Sequence, residues 1–145
     1  MPSYYSKTTE VNNYLYSALN TNRVTLGLKA VWPAMKDLTA NMPALVMEPQ
    51  NKTKVRHSVG GAFRHNFTIN IYVAHSKLSI TSQARTQEDW GIVEAVVAFL
   101  DSDKRLGGNL NGDSYVTREE YGALATPKQG YVKGTRIVWE GFSIV

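Results

Sequence analysis

The chain has 145 residues, 43% of them hydrophobic, with 16 basic side chains against 12 acidic ones and no cysteine. That is enough for one domain with a real core and too little for two ordinary ones, and the missing thiols exclude a disulfide framework, a thiolate zinc site and a cysteine nucleophile. The net charge of +4 would suit a polyanion, but it is mild enough to be read first as a solubilising charge.

Residues 1–6 read as a flexible terminus. A short helix is expected from a cap at Thr8 or Thr9, because Val11, Leu15 and Leu19 recur on one face, and it should end at the polar residues 20–22. In VTLGLKAVWP and MPALVMEP, Pro33, Pro43 and Pro49 forbid a long helix and bracket extended segments, with Ala44 to Glu48 a buried strand. KTKVRHSVGGAFRHNFTINIYVAH follows as two strands about the glycine pair Gly60–Gly61, with residues 52–66 a projecting hairpin. Within it Phe67, Ile69, Ile71 and Val73 alternate with Asn66, Thr68, Asn70 and Tyr72, which predicts one apolar and one polar face.

The main helix is expected from Gln83 or Thr86 to Leu100. Ile92, Val93, Val96, Val97 and Leu100 have helical spacing, and Thr86 with Asp89 reads as an acidic capping box. Its apolar run, 92–100, falls well short of the roughly 20 residues of a membrane span. No charged and then apolar leader opens the chain, so it is expected to be soluble and unexported, and the sequons at Asn51 and Asn66 are read as chance. DSYVT and GYVKGTRIVWEGFSIV are β-rich, with the apolar end at Ile144 and Val145 placed in the sheet. The predicted class is α+β: a single domain, 1–145, with a mostly antiparallel sheet, one main helix at about 86–100 and a short N-terminal helix packed on it.

Three footholds for chemistry are each weighed against a plainer reading. His57, His65 and His75 stand eight and ten residues apart with no acidic residue between them, and are read as surface histidines. Asp89, Glu94, Asp101 and Asp103 lie on or beside the helix and are read as solvated helix charges, and no GxSxG elbow accompanies the serines. NLNGDSYVTREEY aligns on an EF-hand loop through Asn109, Asn111, Asp113, Tyr115, Thr117 and Glu120. Ser114 replaces the turn glycine, Asn109 the leading aspartate, and Pro127 stops the exit helix EEYGALATP, so a polar surface loop is preferred. No catalytic or metal site and no cofactor is expected.

The order of segments is more informative. MPALVMEP, an Arg-containing hairpin, the strand FTINIYVAH, a helix finishing in LDSDKRLGG, a polar stretch and the closing YVKGTRIVWEGFSI together resemble the tail terminator and neck proteins of long-tailed bacteriophages. The resemblance covers about Val24 to Val145, and the polar insert from Gly112 to Gln129 is longer than the family pattern. It implies a structural virion protein, not an enzyme. Such a protein forms a hexameric ring that caps the tail tube, ends its polymerisation and joins the tail to the head-completion or connector protein. DNA would pass only in transit, no membrane would be involved, and the location would be the virion tail or neck, assembled in the host cytoplasm.

On that reading the sites are assembly contacts. Phe67, Ile69, Ile71 and Val73 should pack under the helix through Val93, Val96 and Val97, leaving Asn66, Thr68, Asn70 and Tyr72 toward a neighbouring subunit or solvent. Lys52, Lys54, Arg56 and Arg64 on the hairpin are candidate contacts to the tube or the lumen, or else solubilising charges. Two alternatives stay open: a calcium-responsive module using 109–120, and a small nucleic-acid-binding domain using the basic hairpin with Tyr72 and Phe63.

Overall fold

The computed structural model describes residues 4–33, 42–56, 63–77, 83–126 and 130–144. Helix α1 (Tyr4–Thr21) leads to strands β1 (Ala30–Trp32), β2 (Ala44–Arg56) and β3 (Phe63–Lys77), then to helix α2 (Gln83–Ser102), a 3-10 turn (Leu106–Gly108), and strands β4 (Tyr115–Thr126) and β5 (Gly130–Ile144). The five strands make one sheet in the order β1-β2-β3-β5-β4. Only the β1–β2 pair is parallel. The class is α+β, as the segment order predicts, and among the described residues no helix is long and apolar enough to cross a membrane.

Period decides what is buried. Val11, Leu15 and Leu19 of α1 and Val93, Val96 and Leu100 of α2 join Leu45, Met47, Ile69, Ile71, Val73, Ile137 and Trp139 of the sheet in one core. Phe67, Ile69, Ile71 and Val73 therefore lie beneath the helices as expected, with Val97 packed at the margin. Register explains the depth at the centre: Ile71 stands opposite Met47 on one side and Ile137 on the other. Burying such a side chain is worth about 1.5–3 kcal/mol. Gly141, opposite Phe67, makes room for neighbours, since a Cβ there would lie 2.9 Å from Leu110 and 3.0 Å from Trp139.

Helix boundaries differ from the sequence reading. α1 starts at Tyr4, so the terminus expected to be flexible over 1–6 is helical from residue 4. α2 starts at Gln83, the earlier of the two expected starts, which puts Thr86 inside the helix instead of at its cap, and Asp89, four residues before Val93, is buried on the stripe of Val93, Val96 and Leu100. The helix is about 30 Å long at 1.5 Å per residue. Leu106, Gly107 and Gly108 all take positive φ in the turn beyond it, a region where glycine carries no steric cost.

Asp103 fastens that turn. It accepts hydrogen bonds from the Tyr14 hydroxyl at 2.6 Å and from the Gly107 amide at 3.0 Å, so α1, the end of α2 and the turn share one carboxylate. The tyrosine bond, then the amide, hold its pKa below the ordinary aspartate value of 3.8. A depressed carboxylate pKa stabilises the fold in full above that value and is lost as pH falls below it. Thermal melts should therefore find Asp103→Asn less stable than the parent at about pH 6, with the gap narrowing as the pH falls below the ordinary aspartate range. A gap independent of pH would mean that the carboxylate charge contributes nothing.

The hairpin expected to project over 52–66 extends the sheet. β5 pairs with β3 as far as Arg64 opposite Ile144, so the β3 arm is flanked on both sides. The Gly60–Gly61 turn and His57 lie outside the described residues.

Candidate assembly surface

Among the described residues, no helix lies on the sheet's other face. Arg64, Asn66, Thr68, Asn70 and Tyr72 of β3 occupy it, in register with Phe142, Glu140, Val138 and Arg136 of β5 opposite residues 66, 68, 70 and 72. The polar groups are tied to one another. Arg64 Nε donates to Asn66 Oδ1 at 2.9 Å while its guanidinium lies 3.8 Å from the centre of the Phe142 ring. Asn70 Nδ2 donates to the Tyr72 hydroxyl at 3.3 Å, and the β4 residue Glu120 takes Arg118 at 3.1 Å and Arg136 at 3.5 Å. Gly112 lets Phe142 close over the loop, since a Cβ there would meet the ring at 2.3 Å. A cleft of about 360 Å³ opens on this face between Arg64, Asn66, Thr68, Tyr115, Glu140 and Phe142.

Not all predicted site residues meet there. Asn66, Thr68, Asn70 and Tyr72 share the face with Arg64, yet Asn70 is buried and Tyr72 packs against a small cluster of Ala44, Val46, Ala74 and Val132. Arg56 is exposed and stands opposite Phe63, a helix-side position, and residues 52 and 54 are paired with Phe67 and His65 on that same side. Strand positions 52, 54 and 56 thus share one side of the register, and Arg64 stands on the other. The side chains of Lys52 and Lys54 lie outside the described residues. Phe63 and Tyr72 fall on opposite faces, because nine residues of strand separate them.

The polar loop is built differently from an EF-hand. Residues 115–126 form β4 and pair with β5, so EEYGALATP, the exit helix of an EF-hand alignment, is strand through Thr126. Asn109 Nδ2 donates to the Leu106 carbonyl, Asn111 Oδ1 accepts from the Ile144 amide, and Asp113 pairs with Arg105 at 3.2 Å. Those atoms hold the loop to the turn and to β5. Among the described residues no three metal-ligating side chains converge.

Sequence reasoning missed one polar cluster. His65 and His75 are buried at 3% and 0% exposure, not on the surface, and Asp89 is buried at 1%, not solvated. His75 Nε2 lies 2.9 Å from Thr135 Oγ1 and its Nδ1 lies 3.7 Å from Asp89 Oδ1, while the Tyr121 hydroxyl donates to Asp89 Oδ2 at 3.2 Å. Burial, and then the Asp89 charge, push the Tyr121 pKa up and keep the hydroxyl a donor. The signal was in the alternation: His65 and His75 share odd numbering with Phe67, Ile69, Ile71 and Val73, and Asp89 precedes Val93 by four residues. The cluster joins α2 to β3, β4 and β5.

Two backbone edges complete the surface. Among the described residues no strand pairs with the outer side of β4, which is 12 residues long. β1 covers β2 only from Ala44 to Val46, so β2 from Met47 to Arg56 has no strand on its outer side among them. No protein-family model matches the chain, and no curated protein matches its sequence.

Proposed function

We propose that the chain is a structural subunit of a ring, hexameric in the bacteriophage tail-terminator reading, that caps a tail tube, ends its polymerisation and joins it to the head-completion complex. The observation that carries this reading is that, among the described residues, two strand edges on opposite sides of one sheet have no partner strand. Long unpaired edges are templates for further pairing, and natural proteins cover or blunt them. Because the two edges differ, a contact between them is head-to-tail, and such contacts close into a ring when the rotation fits. The helix-free face, already cross-linked by its own polar pairs, can meet a tube without first having to be ordered. The excess of basic side chains suits the passage of DNA through a ring without tight binding.

Light scattering over a concentration series, without and with purified tail tube protein, tests the proposal. A species near six times the 16.1 kDa subunit, or one that appears on tube ends and stops their growth in electron micrographs, is the expected result. A protein that stays monomeric throughout and leaves tube length unchanged overturns it.

A further inference from the structure

Between α2 and β4 lies a cleft of about 240 Å³ lined by Trp90, Val93, Glu94, Glu119, Tyr121 and Thr135. Its chemistry is unusual for a plain surface. Trp90 and Tyr121 are 51% and 40% exposed and meet edge to face at 6.3 Å between ring centres. Tyr121 is anchored from below by its bond to Asp89. Glu94 and Glu119 are exposed at the same cleft and have no cationic partner among the described residues. Aromatic faces and unpaired carboxylates around one opening match a guanidinium or ammonium group, held by cation–π attraction and charge-assisted hydrogen bonds.

We infer that this cleft receives the basic side chains of β2 from a second copy of the chain, and that this is the head-to-tail contact of the ring. The inference rests on the ring reading and gives it a chemistry. Three observations select the occupant. Among the described residues, the cleft flanks the outer edge of β4, which has no partner strand, and β2 from Met47 to Arg56 has none at the other side of the sheet. Charge is complementary, since β2 carries Lys52, Lys54 and the exposed Arg56 while the cleft carries Glu94 and Glu119. Faces agree as well. Positions 52, 54 and 56 pair with Phe67, His65 and Phe63 on the helix side, and Glu119 and Tyr121 pair with Ile137 and Thr135 on that side. Adding β2 of one copy to β4 of the next continues the sheet with its faces unchanged, so helix-side positions meet helix-side positions.

Two variants separate the halves of the contact. Trp90→Ala with Glu94→Gln and Glu119→Gln removes the acceptor, and Lys52→Gln with Lys54→Gln and Arg56→Gln removes the donor. Each should melt cooperatively like the parent yet associate on the order of a hundredfold more weakly, so that each is monomeric by light scattering where the parent forms rings. Mixed in equal amounts they should give a dimer near twice 16.1 kDa that grows no further, because each pair retains one intact acceptor and one intact donor. Rings formed by either variant alone, or no dimer on mixing, would overturn this contact and leave the ring reading standing. A parent chain that never assembles, with or without tube protein, would overturn both.

Discussion

Ile71→Asp should yield no folded protein. Ile71 is fully buried at the centre of β3, between Met47 and Ile137 and within the core that contains Val93 and Val96. The substitution forfeits about 1.5–3 kcal/mol of apolar burial and places a carboxylate where nothing can pair with it. A group so placed costs several kcal/mol more, or must take up a proton. Domains have only about 5–15 kcal/mol of net stability, so the sum approaches or exceeds the whole. Asn70→Asp, one residue away, is the control. Its side chain is on the helix-free face, where the Tyr72 hydroxyl, which accepts from Asn70 in the parent, can turn its proton to the new carboxylate, although Glu48 opposite adds like-charge repulsion. Circular dichroism and thermal melting should show an unfolded or aggregated Ile71 variant and a folded Asn70 variant weakened by about 1 kcal/mol. A cooperatively melting Ile71→Asp protein would mean that the two faces of β3 are assigned the wrong way round.

Asp89→Ala should be the costliest change among the polar residues. The carboxylate lies beneath α2, accepting from Tyr121 at 3.2 Å and facing His75 Nδ1 at 3.7 Å, with His75 and Asp89 both almost fully buried. At 3.7 Å the histidine contact is electrostatic, longer than a hydrogen bond. Removing the acceptor leaves a fully buried imidazole with poorer partners and a part-exposed tyrosine hydroxyl without its acceptor, and such losses run to about 3 kcal/mol. For a chain of this size that lowers the melting temperature by roughly 10 °C. Tyr121→Phe removes one bond and should cost about 1 kcal/mol. Asp89→Asn keeps an acceptor and should fall between the two. An Asp89→Ala protein that melts with the parent would show that the cluster adds no stability to the α2–sheet contact.

These predictions differ in how far they could be read from the sequence. Ile71 could be placed from HNFTINIYV alone, since a strand alternates its side chains with period two whatever its partners are. The α2 stripe was legible for the same kind of reason at period 3.6, and so was α1 from Val11, Leu15 and Leu19. Asp89 was misread because Thr86 and Asp89 have the spacing of a capping box, and local spacing does not fix where a helix starts. α2 runs from Gln83, so Thr86 is not a cap, and Asp89, four residues before Val93, stands on the buried stripe. EEYGALATP would be an exit helix only in the EF-hand alignment, which the preferred reading of 109–120 as a polar loop sets aside. Its pairing with β5, residue for residue from Arg118 to Thr126, makes it a strand.

Side-chain spacing alone fixes the class and the apolar faces of α1, α2 and β3, because those depend on the local backbone, and the composition rules out thiol chemistry. Strand order and register settle the rest: which edges have no partner strand among the described residues, that positions 52, 54 and 56 lie on the other side of the register from Arg64, and that His75, Asp89, Tyr121 and Thr135 meet. Both join residues far apart in the chain, as His75 is joined to Thr135 across 60 positions. The cleft at Trp90 and Tyr121 is of the same kind: each aromatic is an ordinary surface residue in its own segment, and the packing of α2 against β4 makes them one site.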